Sequence, residues 1–151
     1  MKHLLVPLAL LVAAPFARAQ APVKIEITCN DEMKYNTKGF EVEVGQKVTL
    51  VFKNVGKIPV AKMAHNLVIL RPGTELLAFA AKCGDPKTGH LPADAETKKQ
   101  IFAHSKRLGG GESHTLYFIP KEPGAYPFIC TTPGHFTMMQ GVMTVKAKPA
   151  P

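Results

Sequence analysis

The sequence predicts an all-β domain of seven or eight strands, a sandwich or a barrel, with a short helical insertion. Three observations carry this. Short apolar runs recur along the chain, most alternating with period two, each bounded by Gly, Pro or Asn. Beyond the first twenty residues no apolar stretch reaches the roughly 18 residues that a membrane-crossing helix requires. The 151 residues, 46% hydrophobic and 20% charged, suit one domain, leaving no room for separate dinucleotide and substrate domains.

Taken in order, the chain opens with a secretory signal. Lys2 supplies the positive start, Leu4 to Ala14 an apolar core, and Ala17-Arg18-Ala19 a small-x-small cleavage site. Residues 1–19 are therefore expected to be removed on export, leaving 20–151 as a single domain in the periplasm or outside the cell. Cleavage takes Lys2 and Arg18 and lowers the net charge from +8 to +6. The remaining cations are scattered from Lys24 to Lys148, without the basic-aromatic clustering of a nucleic-acid binder. Pairs such as Lys98-Lys99 and Lys106-Arg107 read as solvated charge.

Strands are predicted at Val23–Ile27, Phe40–Val44, Lys47–Phe52, Asn66–Leu70, Ser113–Ile119, Tyr126–Cys130 and Gly141–Lys148. About residues 72–111 the strand signal lapses. Thr74–Lys82 reads as a helix with Thr74 as N-cap and Gly84 as stop, and Glu96–Ala103 as a further helical turn. Pro86, Gly89, Pro92 and Gly109-Gly110-Gly111 mark loops of what should be a flap on one edge of the fold.

Exported proteins usually pair their cysteines, and this chain has three. Cys130 stands in a setting unlike Cys29 and Cys83, so a Cys29–Cys83 disulfide with Cys130 as the working thiol is the economical expectation. The stretch Cys130-Thr-Thr-Pro-Gly-His135-Phe-Thr-Met-Met139-Gln-Gly141 runs from the end of one strand to the start of the next. It presents a thiol, an imidazole and a thioether from one end of the fold, and His65 opens a buried strand upstream. Two imidazoles, a thiolate and a weak thioether are the donor set of a blue-copper electron-transfer site; zinc prefers four strong ligands. Met138 adjoins Met139, but the alternation Met139, Gly141, Met143, Val145 turns Met139 inward.

These residues, together with Asn30-Asp31-Glu32-Met33-Lys34-Tyr35-Asn36-Thr37, Met63-Ala64-His65-Asn66 and Ile101-Phe102-Ala103-His104, resemble the azurin branch of the cupredoxins over about Val23 to Lys146. The resemblance implies a Greek-key β-sandwich holding one type-1 copper. It implies His65, Cys130 and His135 as the strong ligands, Met139 as a distant axial ligand, and the Ala64 carbonyl opposite it. Asn66 and Thr131 would pin the ligand segments together. Met33, Ile58, Met63, Pro133, Phe136 and Met138 would form an apolar ring around His135 where redox proteins dock, such as cytochromes or copper and haem reductases and oxidases. Lys62 would lie beside that ring and favour an acidic rim on the partner. The chain departs from the branch in three places: Ala64 replaces the usual Gly, Leu67 replaces an aromatic, and the branch's disulfide positions are not Cys.

The function expected is thus a monomeric shuttle of single electrons, not an enzyme. A copper oxidase or nitrite reductase needs further copper centres, usually supplied by His-x-His pairs, and the sequence has none. The alternative is a copper carrier or delivery protein, for which exposed Met- or His-rich tracts would speak; only Met138-Met139 hints at one.

Overall fold

The structure, a computed structural model, describes residues 20–148. The expected signal segment, residues 1–19, lies outside them. Eight strands are present among the described residues: β1 (Val23–Cys29), β2 (Gly39–Glu43), β3 (Val48–Asn54), β4 (Val68–Leu70), β5 (Ile101–His104), β6 (Ser113–Phe118), β7 (Gly124–Ile129) and β8 (Gln140–Lys146). They form a three-stranded sheet in the order β1-β3-β6 and a five-stranded sheet in the order β2-β8-β7-β4-β5.

Alternation builds the smaller sheet. In β3 every second residue is buried, and parallel pairing sets Ile25 beside Leu50 and Ile27 beside Phe52. The two sheets close face to face over one core. Ile27, Leu50, Phe52 and Leu116 enter it from one side, and Val42, Ile69, Phe128, Met143 and Val145 from the other. The fold is therefore a sandwich and not a barrel. Tyr35 lies between Phe52 and Phe128 with ring centroids 6.0 and 5.7 Å away. At Gly141 an added Cβ would stand 2.3 Å from the Phe128 ring and 2.5 Å from the Lys38 carbonyl, so only glycine admits this close approach.

The run Ala64–Leu70 is buried throughout because β4 is covered on both faces. Leu67 and Ile69 face the sandwich, whereas Val68 and Leu70 join Phe79 and Ile129 in a second apolar cluster beneath the inserted helices. Leu67, replacing the expected aromatic, is fully buried.

The insertion differs in detail from its sequence reading. Helix α1 is Leu76–Ala81 with Glu75 at the N-cap position and no side-chain cap, and Thr74, the expected cap, instead closes the Pro72-Gly73 turn through its N–H to the Arg71 carbonyl at 3.3 Å. A 3-10 turn follows at Pro86–Thr88, and α2 spans Ala95–Lys98, capped by the Asp94 carboxylate on the Thr97 N–H at 2.8 Å. The chain then straightens into β5, which the sequence did not announce, to pair antiparallel with β4.

The expected Cys29–Cys83 disulfide is absent: Cys29, Cys83 and Cys130 are all free thiols. Cys29 ends β1 inside the sandwich core, while Cys83 follows α1 and packs in the second cluster, its Sγ 3.3 Å from the Phe79 carbonyl. The five-stranded sheet separates the two clusters. No described helix is long and apolar enough to cross a membrane.

Candidate metal centre

Residues 130–139 connect β7 to β8 and fold back on themselves through main-chain bonds. The His135 N–H bonds the Thr132 carbonyl at 3.0 Å, and the Met138 and Met139 N–H groups bond the His135 carbonyl at 3.1 and 2.9 Å. Cys130 N–H donates to the Met139 carbonyl at 2.9 Å, closing the loop at its base. Cys130 and Met139 thereby sit side by side with their strands holding them, and Gly134 makes the turn at φ 81°.

His65 arrives from elsewhere. It precedes β4 and exchanges both main-chain bonds with Leu108, at 3.0 and 2.7 Å. Asn66 ties this segment to the loop: its Nδ2 donates to the Thr131 hydroxyl at 2.7 Å, and its Oδ1 accepts from the Thr131 N–H at 2.8 Å. Tyr35 completes the brace by donating its hydroxyl to the Asn66 carbonyl at 2.6 Å.

Three donor atoms converge in this frame. His65 Nδ1 lies 3.2 Å from His135 Nδ1, and Cys130 Sγ lies 3.8 Å from His135 Nδ1. All three residues are buried, and their ligand atoms lie within 4.8 Å of one another. Met139 is fully buried whereas Met138 is 42% exposed, so the inward methionine is the one the alternation selects.

The electrostatics suit a cation. Burial, reinforced by neighbouring His135, lowers the His65 pKa to about 4, against the opposing pull of the Asn30 carbonyl and Asp31. Burial and then His90 lower that of His135. Both shifts favour the neutral imidazole, the form that ligates a metal. Burial raises the Cys130 thiol, although the Asn66 and Thr132 N–H groups, the Thr132 hydroxyl and the Arg107 charge act the other way. A metal ion would replace the thiol proton and gain an anionic sulfur already faced by hydrogen-bond donors. His65 Nε2, buried and without a hydrogen-bond partner in normal geometry, leaves the ring held through its neighbours and its Nδ1 side. Two nitrogen donors and a thiolate, with a buried methionine bonded through its main chain to Cys130, fit copper better than zinc, calcium or magnesium.

Around this centre, Met33, Ile58 and Met63 are half-buried, and Pro133 and Met138 are exposed. Phe136 is turned toward the insertion and packs against the second apolar cluster, which includes Cys83 and Leu91 among its partly buried members. The insertion also touches the loop at Gly84, where a side chain would come within 3.3 Å of Pro133 Cγ. The Ala64 carbonyl accepts a hydrogen bond from the Thr132 hydroxyl at 2.8 Å.

Two residues beside the site escaped the sequence reading. Arg107 is not simply solvated: it is half-buried and its Nε is shut off from water without a hydrogen-bond partner. Its placement follows from the Leu108–His65 bridge one residue later. Thr132 was indistinguishable in sequence from any loop threonine, because its partner lies 68 residues away.

Comparison with known proteins agrees with this geometry. The sequence model of "Copper binding proteins, plastocyanin/azurin family" matches residues 21–146. Outer membrane protein H.8 of Neisseria gonorrhoeae is 37% identical over 123 residues, covering 79% of this chain; the match spans only 65% of that protein's length. Auracyanin-A of Chloroflexus aurantiacus is 34% identical over 128 residues, covering 82% of this chain and 75% of the other. Azurin of Alcaligenes faecalis is 32% identical over 125 residues, with 79% and 94% covered. Among solved structures, dithionite-reduced auracyanin from Roseiflexus castenholzii superposes with a TM-score of 0.70 at 36% identity, covering 84% of this chain and 99% of the other.

Proposed function

From the premise that the chain belongs to the plastocyanin/azurin family of copper binding proteins, we propose that it is an exported carrier of single electrons and not an enzyme. Its cofactor is a type-1 copper, which supplies a one-electron couple between the cuprous and cupric states when bound. His65 Nδ1, His135 Nδ1 and Cys130 Sγ are its strong ligands and the Met139 thioether its weak one. The observation that carries this reading is the convergence of the three buried donor atoms within 4.8 Å.

What the chain does is hold those donors still. The Asn66–Thr131 pair of hydrogen bonds, the Leu108–His65 bridge and the Cys130–Met139 closure each fix one ligand segment to another. A cage fixed in this way need not rearrange when its charge changes, which suits rapid one-electron exchange. His65, Cys130 and Met139 are sealed in, and His135, at 9% exposure, is the ligand at the edge. We place the docking face there, formed by Met33, Ile58, Met63, Pro133 and Met138, for redox proteins such as cytochromes and copper or haem reductases and oxidases. Phe136 supports that face from behind. Export follows from the signal segment expected at residues 1–19.

The test is the visible and EPR spectrum of the protein after copper(II) addition, beside Cys130→Ala. An intense blue band with narrow copper hyperfine splitting, lost in Cys130→Ala, is expected. A colourless protein, or a copper signal that survives Cys130→Ala, would exclude the shuttle. Rapid surrender of the ion to a competing chelator would favour a carrier instead.

A further inference from the structure

The Ala64 carbonyl adjoins the ligand His65, and the resemblance drawn from sequence makes it a fifth donor. The structure gives it a different partner. Its oxygen accepts the Thr132 hydroxyl at 2.8 Å, across two segments separated by 68 residues. Ala64 is 1% exposed, so bulk water does not compete for this oxygen. Thr132 is itself anchored, since its own carbonyl accepts the His135 N–H at 3.0 Å. Next door, the Asn66 side chain holds Thr131 by two bonds, which fixes the backbone from which the Thr132 side chain projects.

We propose that Thr132 is a positioning residue that engages the Ala64 carbonyl and withholds it from the metal, leaving a donor set of two imidazoles, a thiolate and a thioether. A hydroxyl has one proton, and the 2.8 Å contact gives it to the Ala64 carbonyl in preference to the nearby Cys130 sulfur. A carbonyl bound to a donor is oriented by it and is a weaker donor to anything else. Carbonyl oxygen is a hard ligand that favours the cupric over the cuprous state. Keeping it out of the coordination shell therefore raises the reduction potential of the site. This inference rests on the ligand assignment proposed above.

The test compares Thr132→Val, which keeps the shape and loses the hydroxyl, with Thr132→Ser, which keeps the hydroxyl. Both are loaded with cobalt(II), whose ligand-field bands are intense in four-coordinate and weak in five-coordinate sites, and separately with copper(II) for voltammetry. We expect intense bands in the wild type and in Thr132→Ser, with weaker bands and a lower midpoint potential in Thr132→Val. Weak cobalt bands in the wild type would overturn the proposal, as would a Thr132→Val protein whose cobalt bands stay as intense as the wild type's, whatever its potential, because the hydroxyl also lies near the Cys130 sulfur. Either result leaves the ligand assignment standing if a thiolate-to-metal charge-transfer band is present. Loss of that band from the wild type itself would overturn both.

Discussion

Asn66 grips Thr131 at two points, donating from Nδ2 to its hydroxyl at 2.7 Å and accepting its N–H on Oδ1 at 2.8 Å. All of these groups are buried. One amide side chain thus joins the segment carrying His65 to the loop carrying Cys130, His135 and Met139.

Replacing Asn66 by Ala strands both Thr131 groups in the interior, which should cost about 2–4 kcal/mol of stability. Denaturant unfolding of Asn66→Ala, Thr131→Ala and the double variant should give a coupling energy of about 1 kcal/mol or more. Additive effects would show that the pair does not act as a unit.

The two adjacent methionines should behave in opposite ways. Met138, 42% exposed, can become Leu without altering the copper spectrum. Met139 is fully buried. In Met139→Leu the volume is nearly conserved, so stability should fall by less than about 1.5 kcal/mol. The blue band should remain, because Cys130 is untouched, while the midpoint potential rises as the thioether is lost. Voltammetry of the two variants checks this.

Arg107 places a permanent positive charge beside the centre, with its Nε excluded from water. Its removal should make the cupric state easier to reach. An effect on the order of 1 kcal/mol, about 40 mV for a one-electron couple, is expected as a downward shift of potential in Arg107→Leu. A potential unchanged in Arg107→Leu and Arg107→Lys alike would mean that solvent screens this charge.

Cys83 should titrate late. Burial lifts its thiol from 9.0 to about 11. The folded-state value lies above the unfolded one, so this thiol's contribution to stability is complete below pH 9 and is lost as pH rises toward about 11. Iodoacetamide should modify the native protein slowly at pH 7.5, at Cys83 first, with a rate still climbing at pH 10. Because Cys83 is a free thiol, Cys83→Ser should lack the large drop in unfolding midpoint that loss of a cross-link brings. Early saturation of the alkylation rate, or a large drop in that midpoint, would contradict this.

Metal removal should weaken the fold by mass action. At free copper a thousandfold above its dissociation constant the loaded form gains about 4 kcal/mol over the stripped one. Thermal unfolding with and without a chelator measures the difference, and Cys130→Ala should abolish most of it.

The convergence of Cys130 and His135 was legible because their chemistry is carried by residue type at fixed spacing within one loop, and the alternation of β8 distinguished buried Met139 from exposed Met138. The strands of the smaller sheet were legible for the same kind of reason. β5 was not: Ile101, Phe102 and Ala103 are all half-buried, and only pairing with β4 makes them a strand. The cysteine pairing failed because counting thiols says nothing about which face of a sheet each occupies. Arg107 and Thr132 were opaque because each owes its role to a contact made between distant segments.

The pairings that build the site also order events in time. β2 lies parallel to β8, with Gly39 opposite Val142, and β4 meets β7 with Val68 opposite Ile129. His65 cannot meet Cys130 and His135 until such long-range contacts exist, and contacts of this kind form late and slowly. A chain still being made holds scattered donors but no cage. A buried cage of this kind can hold an ion only once the fold has closed, and its nitrogen and sulfur donors then favour copper by ligand type.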